Sequence, residues 1–177
     1  MKSINTNSVS IAGEFAVLSQ LALRGYDANL TLGNTKSVDI LVLDPDNGKL
    51  WQLEVKTNFK NDKKEPSVSK IHGKFVSDWM MSKKHETIYS ESLFYCFVNI
   101  SKDTGFFKFY VVPSEIVAKY IREEHQFWID EKKKEKKKVK YNTDQRIFRM
   151  GLRGEQYFVQ TPTVEDYENK WDFISRK

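Results

Sequence analysis

A single cysteine in 177 residues leaves no disulfide framework and points to a reducing compartment. That residue, Cys96, lies inside Leu93-Phe94-Tyr95-Cys96-Phe97-Val98, so a packed, inert thiol is expected rather than a nucleophile. No signal peptide or long apolar run opens the chain, which argues for a cytoplasmic protein with no membrane partner. His72, His85 and His125 have no ligand spacing with one another or with Cys96, which argues against zinc and leaves open a phosphate contact or a proton shuttle. Gly33-Asn34-Thr35-Lys36-Ser37 ends like a phosphate-binding loop but lacks the second glycine and the following helix. The acidic turn Asp44 to Gly48 is too short for a calcium loop and has no closing glutamate at the required distance. Internal repeats are absent, and one domain across residues 1–177 is the expectation from length. A net charge of +5 is a modest bias that suits a polyanionic partner.

What the chain does contain is acids in places a soluble fold leaves to apolar residues. Along Trp51 to Thr57 the period-2 alternation of a strand sets Trp51, Leu53 and Val55 on one face and Gln52, Glu54 and Lys56 on the other. In Val38-Asp39-Ile40-Leu41-Val42-Leu43 both faces are otherwise apolar, the mark of a buried central strand. A carboxylate at the head of such a strand must find a hydrogen bond, a counter-charge or a metal. Asp44-Pro45-Asp46-Asn47-Gly48 joins the two strands as a hairpin signal. With Asn47-Gly48 at the centre of the turn, Asp39 faces Lys56 and lies diagonal to Glu54; with Asp46-Asn47 central, Asp39 faces Glu54. Both registers keep the three side chains on one face, and a three-residue loop separates them.

Two carboxylates about 4 Å apart repel by about 4 kcal/mol at an effective dielectric near 20. Lys56 offsets part of that with one positive charge, and the remaining deficit suits a hard divalent cation, Mg²⁺ with Mn²⁺ as substitute. Beside a metal-bound water, Lys56 could orient or deprotonate the water if burial lowers its pKa enough, or stabilise charge on the phosphorane. A third acid comes from the helix predicted over Ser8 to Leu23, whose apolar Ile11, Phe15, Leu18, Leu21 and Ala22 recur at helical spacing with Ser8 or Ser10 as N-cap. Glu14, beside Gly13 and next to that packing face, becomes a candidate to bind metal water or a second cation.

In this order, Gly13-Glu14 in a helix, Arg24-Gly25-Tyr26 leading into a strand, Val38-Asp39-Ile40-Leu41-Val42, then Leu53-Glu54-Val55-Lys56-Thr57, the chain resembles the PD-(D/E)xK nuclease superfamily, which includes restriction endonucleases and Holliday-junction resolvases. The resemblance covers roughly residues 8–115. It implies a restriction-endonuclease-like α/β core, with helices on a mixed central sheet of about four to five strands, and Mg²⁺-dependent hydrolysis of DNA. Asp39 and Glu54 match the metal ligands, Lys56 the motif lysine and Glu14 the acid of the first helix; Val38 stands where the motif has proline. Cutting both strands takes two active sites or two events, which leaves a homodimer open. The alternative is a nucleic-acid-binding or protein-interaction module that keeps the scaffold without turnover.

Around that core, Asn58 to Lys70 reads as a loop whose Lys60, Lys63, Lys64 and Lys70 are candidates to meet phosphates. A helix is expected over Phe75 to Lys84, and a hairpin, Leu93 to Ile100 with Phe106 to Val112, around Lys102-Asp103-Thr104-Gly105. Pro113-Ser114-Glu115 opens a helix to about Trp128. The lysine-rich segment 131–140 reads as a solvated run or as an arm along a nucleic-acid backbone. Residues 145–175 supply a strand at Arg146 to Met150 and a last helix after Thr161-Pro162-Thr163, with Thr163 and Asp166 spaced as a capping box.

Overall fold

The computed structural model describes residues 4–31, 37–136, 141 and 143–174. The phosphate-loop-like Gly33 to Lys36, and Lys137, Lys138 and Lys140 of the lysine-rich segment, lie outside the described residues. In chain order the elements are α1 (Thr6–Ala22), β1 (Asp27–Leu30), β2 (Ile40–Leu43), β3 (Leu50–Lys60), β4 (Ser67–Ser69), β5 (Gly73–Phe75), β6 (Ser77–Ser82), a 3-10 turn (Lys83–Glu86), β7 (Leu93–Ser101), β8 (Phe107–Pro113), α2 (Ser114–Lys134), β9 (Gln145–Met150), α3 (Val164–Tyr167) and a second 3-10 turn (Trp171–Ile174). They divide into two compact units. The first comprises Met1–Asp62, Ser90–Pro113 and Glu168–Lys177, the second Lys63–Tyr89 and Ser114–Tyr167.

The first unit is a mixed five-stranded sheet in the order β1-β2-β3-β7-β8, so the α/β class and strand number expected from sequence are present. Only β3 and β7 run parallel; the other pairs are antiparallel. Ile40, Val42, Leu53, Val55, Cys96, Val98 and Val111 point to one face and pack with Val17 and Leu21 of α1. Burial drives the Cys96 thiol pKa upward, as expected for an inert core thiol.

Helix α1 departs from its sequence reading in two ways. The cap is Asn5, whose Oδ1 accepts the Ser8 N–H at 2.8 Å, so the helix starts ahead of Ser8 and Ser10. The buried stripe is Gly13, Val17 and Leu21, while Ile11 and Phe15 are exposed, Phe15 at 58 %. Gly13 turns the helix this way, because a Cβ there would stand 1.9 Å from Thr57 Oγ1 of β3. With any side chain at position 13 the two backbones could not approach this closely.

In the second unit β4 pairs with β5 and β6 with β9, both antiparallel, and α2 packs on β9 and the first 3-10 turn. The helix expected over Phe75 to Lys84 is instead β5, β6 and the start of the 3-10 turn. Burial along Ser77–Ser82 alternates with period 2, Trp79 and Met81 inside and Met80 outside. Three consecutive large apolar residues hide that alternation in the sequence, and β9 completes the ladder from some 70 residues away. The Asn58 to Lys70 loop is likewise shorter than expected, since β3 runs to Lys60 and β4 begins at Ser67. Helix α2 overruns Trp128 to Lys134, with Lys134 paired to Glu131 at 2.6 Å and Lys132 to Glu135 at 3.0 Å across its last turns. The last helix is shorter: four residues of α3, then a 3-10 turn, with Thr163 Oγ1 donating to Asp166 Oδ2 at 2.6 Å.

Candidate active site

The β2–β3 ladder decides between the two registers. Ile40 pairs with Leu53 and Leu43 with Leu50, and the Asp44 N–H closes the turn on the Lys49 carbonyl at 2.9 Å. Asp46-Asn47 is therefore central; the paired ladder ends at Ile40, and Asp39 lies one residue beyond it, outside β2. The three-residue loop that would have parted Asp39 from Glu54 and Lys56 is not used.

At Asp39 the ladder is disturbed in an instructive way. An undisturbed register would send the Val55 N–H to the carbonyl of residue 38. That carbonyl instead accepts the Thr31 hydroxyl at 2.7 Å, and the Asp39 N–H reaches the Leu53 carbonyl at 2.8 Å. The Asp39 carboxylate takes the vacated place: its Oδ2 accepts the Val55 N–H at 2.7 Å. The strand end is thus stitched by a side chain, which fixes that carboxylate to the backbone of β3.

Glu54 and Lys56 share a face of β3, as period 2 requires, and Lys56 Nζ donates to Glu54 Oε1 at 2.5 Å. Glu54 is only 3 % exposed, so its charge is held in a poorly solvated position by a charge-assisted bond. Glu14 follows Gly13, where α1 comes closest to β3. Burial, then the Asp39 charge, push its carboxyl above its ordinary value, while Lys56 pulls it back in part. Glu14 is therefore within electrostatic reach of Asp39 and Lys56, and Glu54 joins them through Lys56.

Sequence reasoning missed Tyr95. It is the Cα partner of Glu54 across the parallel β3–β7 pair and is fully buried. Burial, then Glu54 and Asp39, push its phenol well above the ordinary range, so at neutral pH it remains protonated beside the acids. The signal that could have found it is the register of β7 against β3, which no local pattern specifies.

Among the described residues no three His, Cys, Asp or Glu side chains are gathered closely enough to hold an ion by themselves. Asp39 on the Val55 N–H, Glu54 one residue back along β3 and Glu14 within reach of Asp39, against one lysine, are donors of the kind a magnesium-type site uses, since that ion is held by one or two carboxylates and completes its shell with water and substrate oxygen. Burial is the main cause of the raised Glu14 carboxyl, and the Asp39 charge, second to it, is the like-charge contact behind this fit. Of the four lysines expected at nucleic acid, all are exposed: Lys60 ends β3, Lys63 donates to Ser67 Oγ at 2.5 Å, Lys64 precedes β4, and Lys70 lies between β4 and β5.

No family model and no curated protein matches the chain. Among solved structures, the bacterial homing endonuclease I-Ssp6803I is similar at a TM-score of 0.49 and 12 % identity, with 97 % of this chain and 92 % of that one covered. A likeness this distant carries nothing about chemistry. Among the described residues no helix is long and apolar enough to cross a membrane.

Proposed function

We propose that this chain is a metal-dependent nuclease of the PD-(D/E)xK type that hydrolyses DNA phosphodiesters, with Asp39 and Glu54 holding Mg²⁺ or Mn²⁺, Glu14 assisting through metal-bound water, and Lys56 beside the reacting groups. The observation that supports this reading is the Asp39 carboxylate held on the Val55 N–H, next along β3 from Glu54, with Lys56 on the Glu54 carboxylate. When bound, the cation supplies Lewis-acid stabilisation of charge on the phosphoryl oxygens and a water of lowered pKa. Asp39 contributes orientation, because its carboxylate is fixed to the Val55 N–H. Glu54 binds, and its contact with Lys56 keeps the ammonium at the site. Lys56 holds a proton at Nζ and stabilises developing negative charge. Tyr95, buried and protonated, limits water around Glu54.

Nicking of supercoiled plasmid with Mg²⁺ or Mn²⁺ tests the reading. Glu54→Ala and Lys56→Ala are expected to slow cleavage on the order of 10²-fold, and chelation to abolish it. Equal rates in wild type and both variants indicate a contaminant. No cleavage by wild type, with duplex binding retained, favours the non-catalytic module.

A further inference from the structure

The second unit contains a cavity of about 520 Å³, a size ordinary for small-molecule sites. It is lined by residues of α2 and β9 together with Ser69, Ile71, His72 and Thr143, and its ionisable lining is His72, Glu124, His125, Lys132, Arg146 and Arg149. None of these belongs to the carboxylate site of the first unit.

The lining is rich in donors and poor in acceptors. Arg146 is 4 % exposed; its Nε donates to Glu86 at 2.5 Å and its Nη1 to the carbonyls of Thr143 and Gln145, each at 2.8 Å. Those bonds hold the guanidinium in place. Arg149, also buried, donates through Nη1 to Glu124, and its Nε is buried without a hydrogen-bond partner among the described residues. Lys132 pairs with Glu135, a partner that is 42 % exposed, a contact of small net value that a better anion can displace.

The two histidines add to this. Burial, then Arg149 and Lys132, push His72 down to about 4, so near pH 7 its neutral ring donates Nε2–H to Glu124 Oε1, 3.0 Å away. Glu124, the only carboxylate among the described lining residues, is pushed upward by burial, against the pull of Arg149. His125 stacks on Trp128 with centroids 5.6 Å apart and planes at 17°, and its Nε2 is buried without a partner among the described residues. One wall of the cavity is therefore aromatic.

We infer that this cavity binds a nucleotide, its phosphate against Arg149, Arg146 and Lys132 and its ring against the Trp128–His125 wall. Two fixed guanidiniums and a displaceable lysine suit a phosphate dianion. An aromatic wall beside them distinguishes a nucleotide from inorganic phosphate. The phosphate arrives either on a free mononucleotide or on the 5′ end of a strand, and both offer the same contacts. The inference stands independently of the nuclease reading.

Calorimetric titration tests it with the four deoxynucleoside 5′-monophosphates, the matching nucleosides, inorganic phosphate, and a short oligonucleotide with either a 5′-phosphate or a 5′-hydroxyl. At least one monophosphate or the 5′-phosphorylated oligonucleotide is expected to bind about tenfold more tightly than its unphosphorylated counterpart. Which of the two binds identifies the source of the phosphate. Lys132→Gln and Trp128→Ala are each expected to weaken that binding several-fold, and Lys132 is an exchangeable position should Trp128→Ala fail to fold. Glu54→Ala is expected to bind as wild type does, which separates this site from the failure or success of the nuclease proposal. No binding by any phosphorylated probe, equal affinity for inorganic phosphate, or wild-type affinity in folded Lys132→Gln overturns the inference.

Discussion

The two units bury charge of opposite character. In the sheet unit, acids from α1, the head of β2 and the middle of β3 come within reach of one another with one lysine beside them. In the second unit, guanidiniums from β9 and a lysine from α2 line a cavity that holds a single carboxylate. Desolvation acts on both and raises an acid in each, Glu14 in one and Glu124 in the other. The outcome differs because Glu124 has Arg149 and a neutral His72 for partners, whereas Glu14 is raised further by a like charge, Asp39. On the readings proposed above, the first arrangement would take a cation and the second an anion. The contrast is in how each acid is partnered: Glu124 by a guanidinium it contacts directly, Glu14 only by a lysine at longer range.

The sharpest break of this contrast is Asp39→Asn. The amide oxygen can still accept the Val55 N–H, so the fold should persist while the negative charge is gone. Plasmid cleavage is expected to fall on the order of 10²-fold, with an unchanged circular dichroism spectrum; retained activity would remove Asp39 from the site. Of intermediate size is Gly13→Ala. The added methyl meets Thr57 Oγ1 at 1.9 Å, and the cost is about 1–3 kcal/mol in urea unfolding. A Gly13→Ala/Thr57→Gly double variant should recover part of it, and strict additivity would mean the two backbones do not approach as described.

Smallest is the effect of Glu14→Gln. A carboxyl raised in the folded state binds its proton more tightly there than in the unfolded chain, so its contribution is best at low pH and declines as pH climbs from its ordinary value of 4.5 through the raised folded value. Glutamine should flatten that slope in a series of melting temperatures, and saturating Mg²⁺ should flatten it in wild type. An unaltered slope in the variant would place the charge strain elsewhere.

Much of the sheet unit was legible because its signals are local. Glu54 and Lys56 lie on β3, which a short turn joins to β2, and period 2 sufficed to place those two on one face; the turn register, and the position of Asp39 just ahead of β2, were not legible. The β7–β8 hairpin was as plain, with its Lys102 to Gly105 turn. Tyr95 was not legible, since a parallel partner across a long connection has no sequence-local register. Burial in α1 was misjudged because the deciding contact belongs to a residue without a side chain, and hydrophobic spacing gives Gly13 no weight. The second unit was least legible. Arg149 and Glu124 are 25 residues apart, and His72 reaches Glu124 from further still. Such long-range ion pairs leave no periodic trace.

The stitch between the Asp39 carboxylate and the main chain of β3 bears on tolerance to error. A ligand oxygen on a free side chain wanders with its torsions, whereas this group inherits its place from the sheet itself. That carboxylate is located by hydrogen-bonded strands rather than by a rotamer alone, so a torsional fluctuation that would swing a free side chain must first break its bond to the main chain.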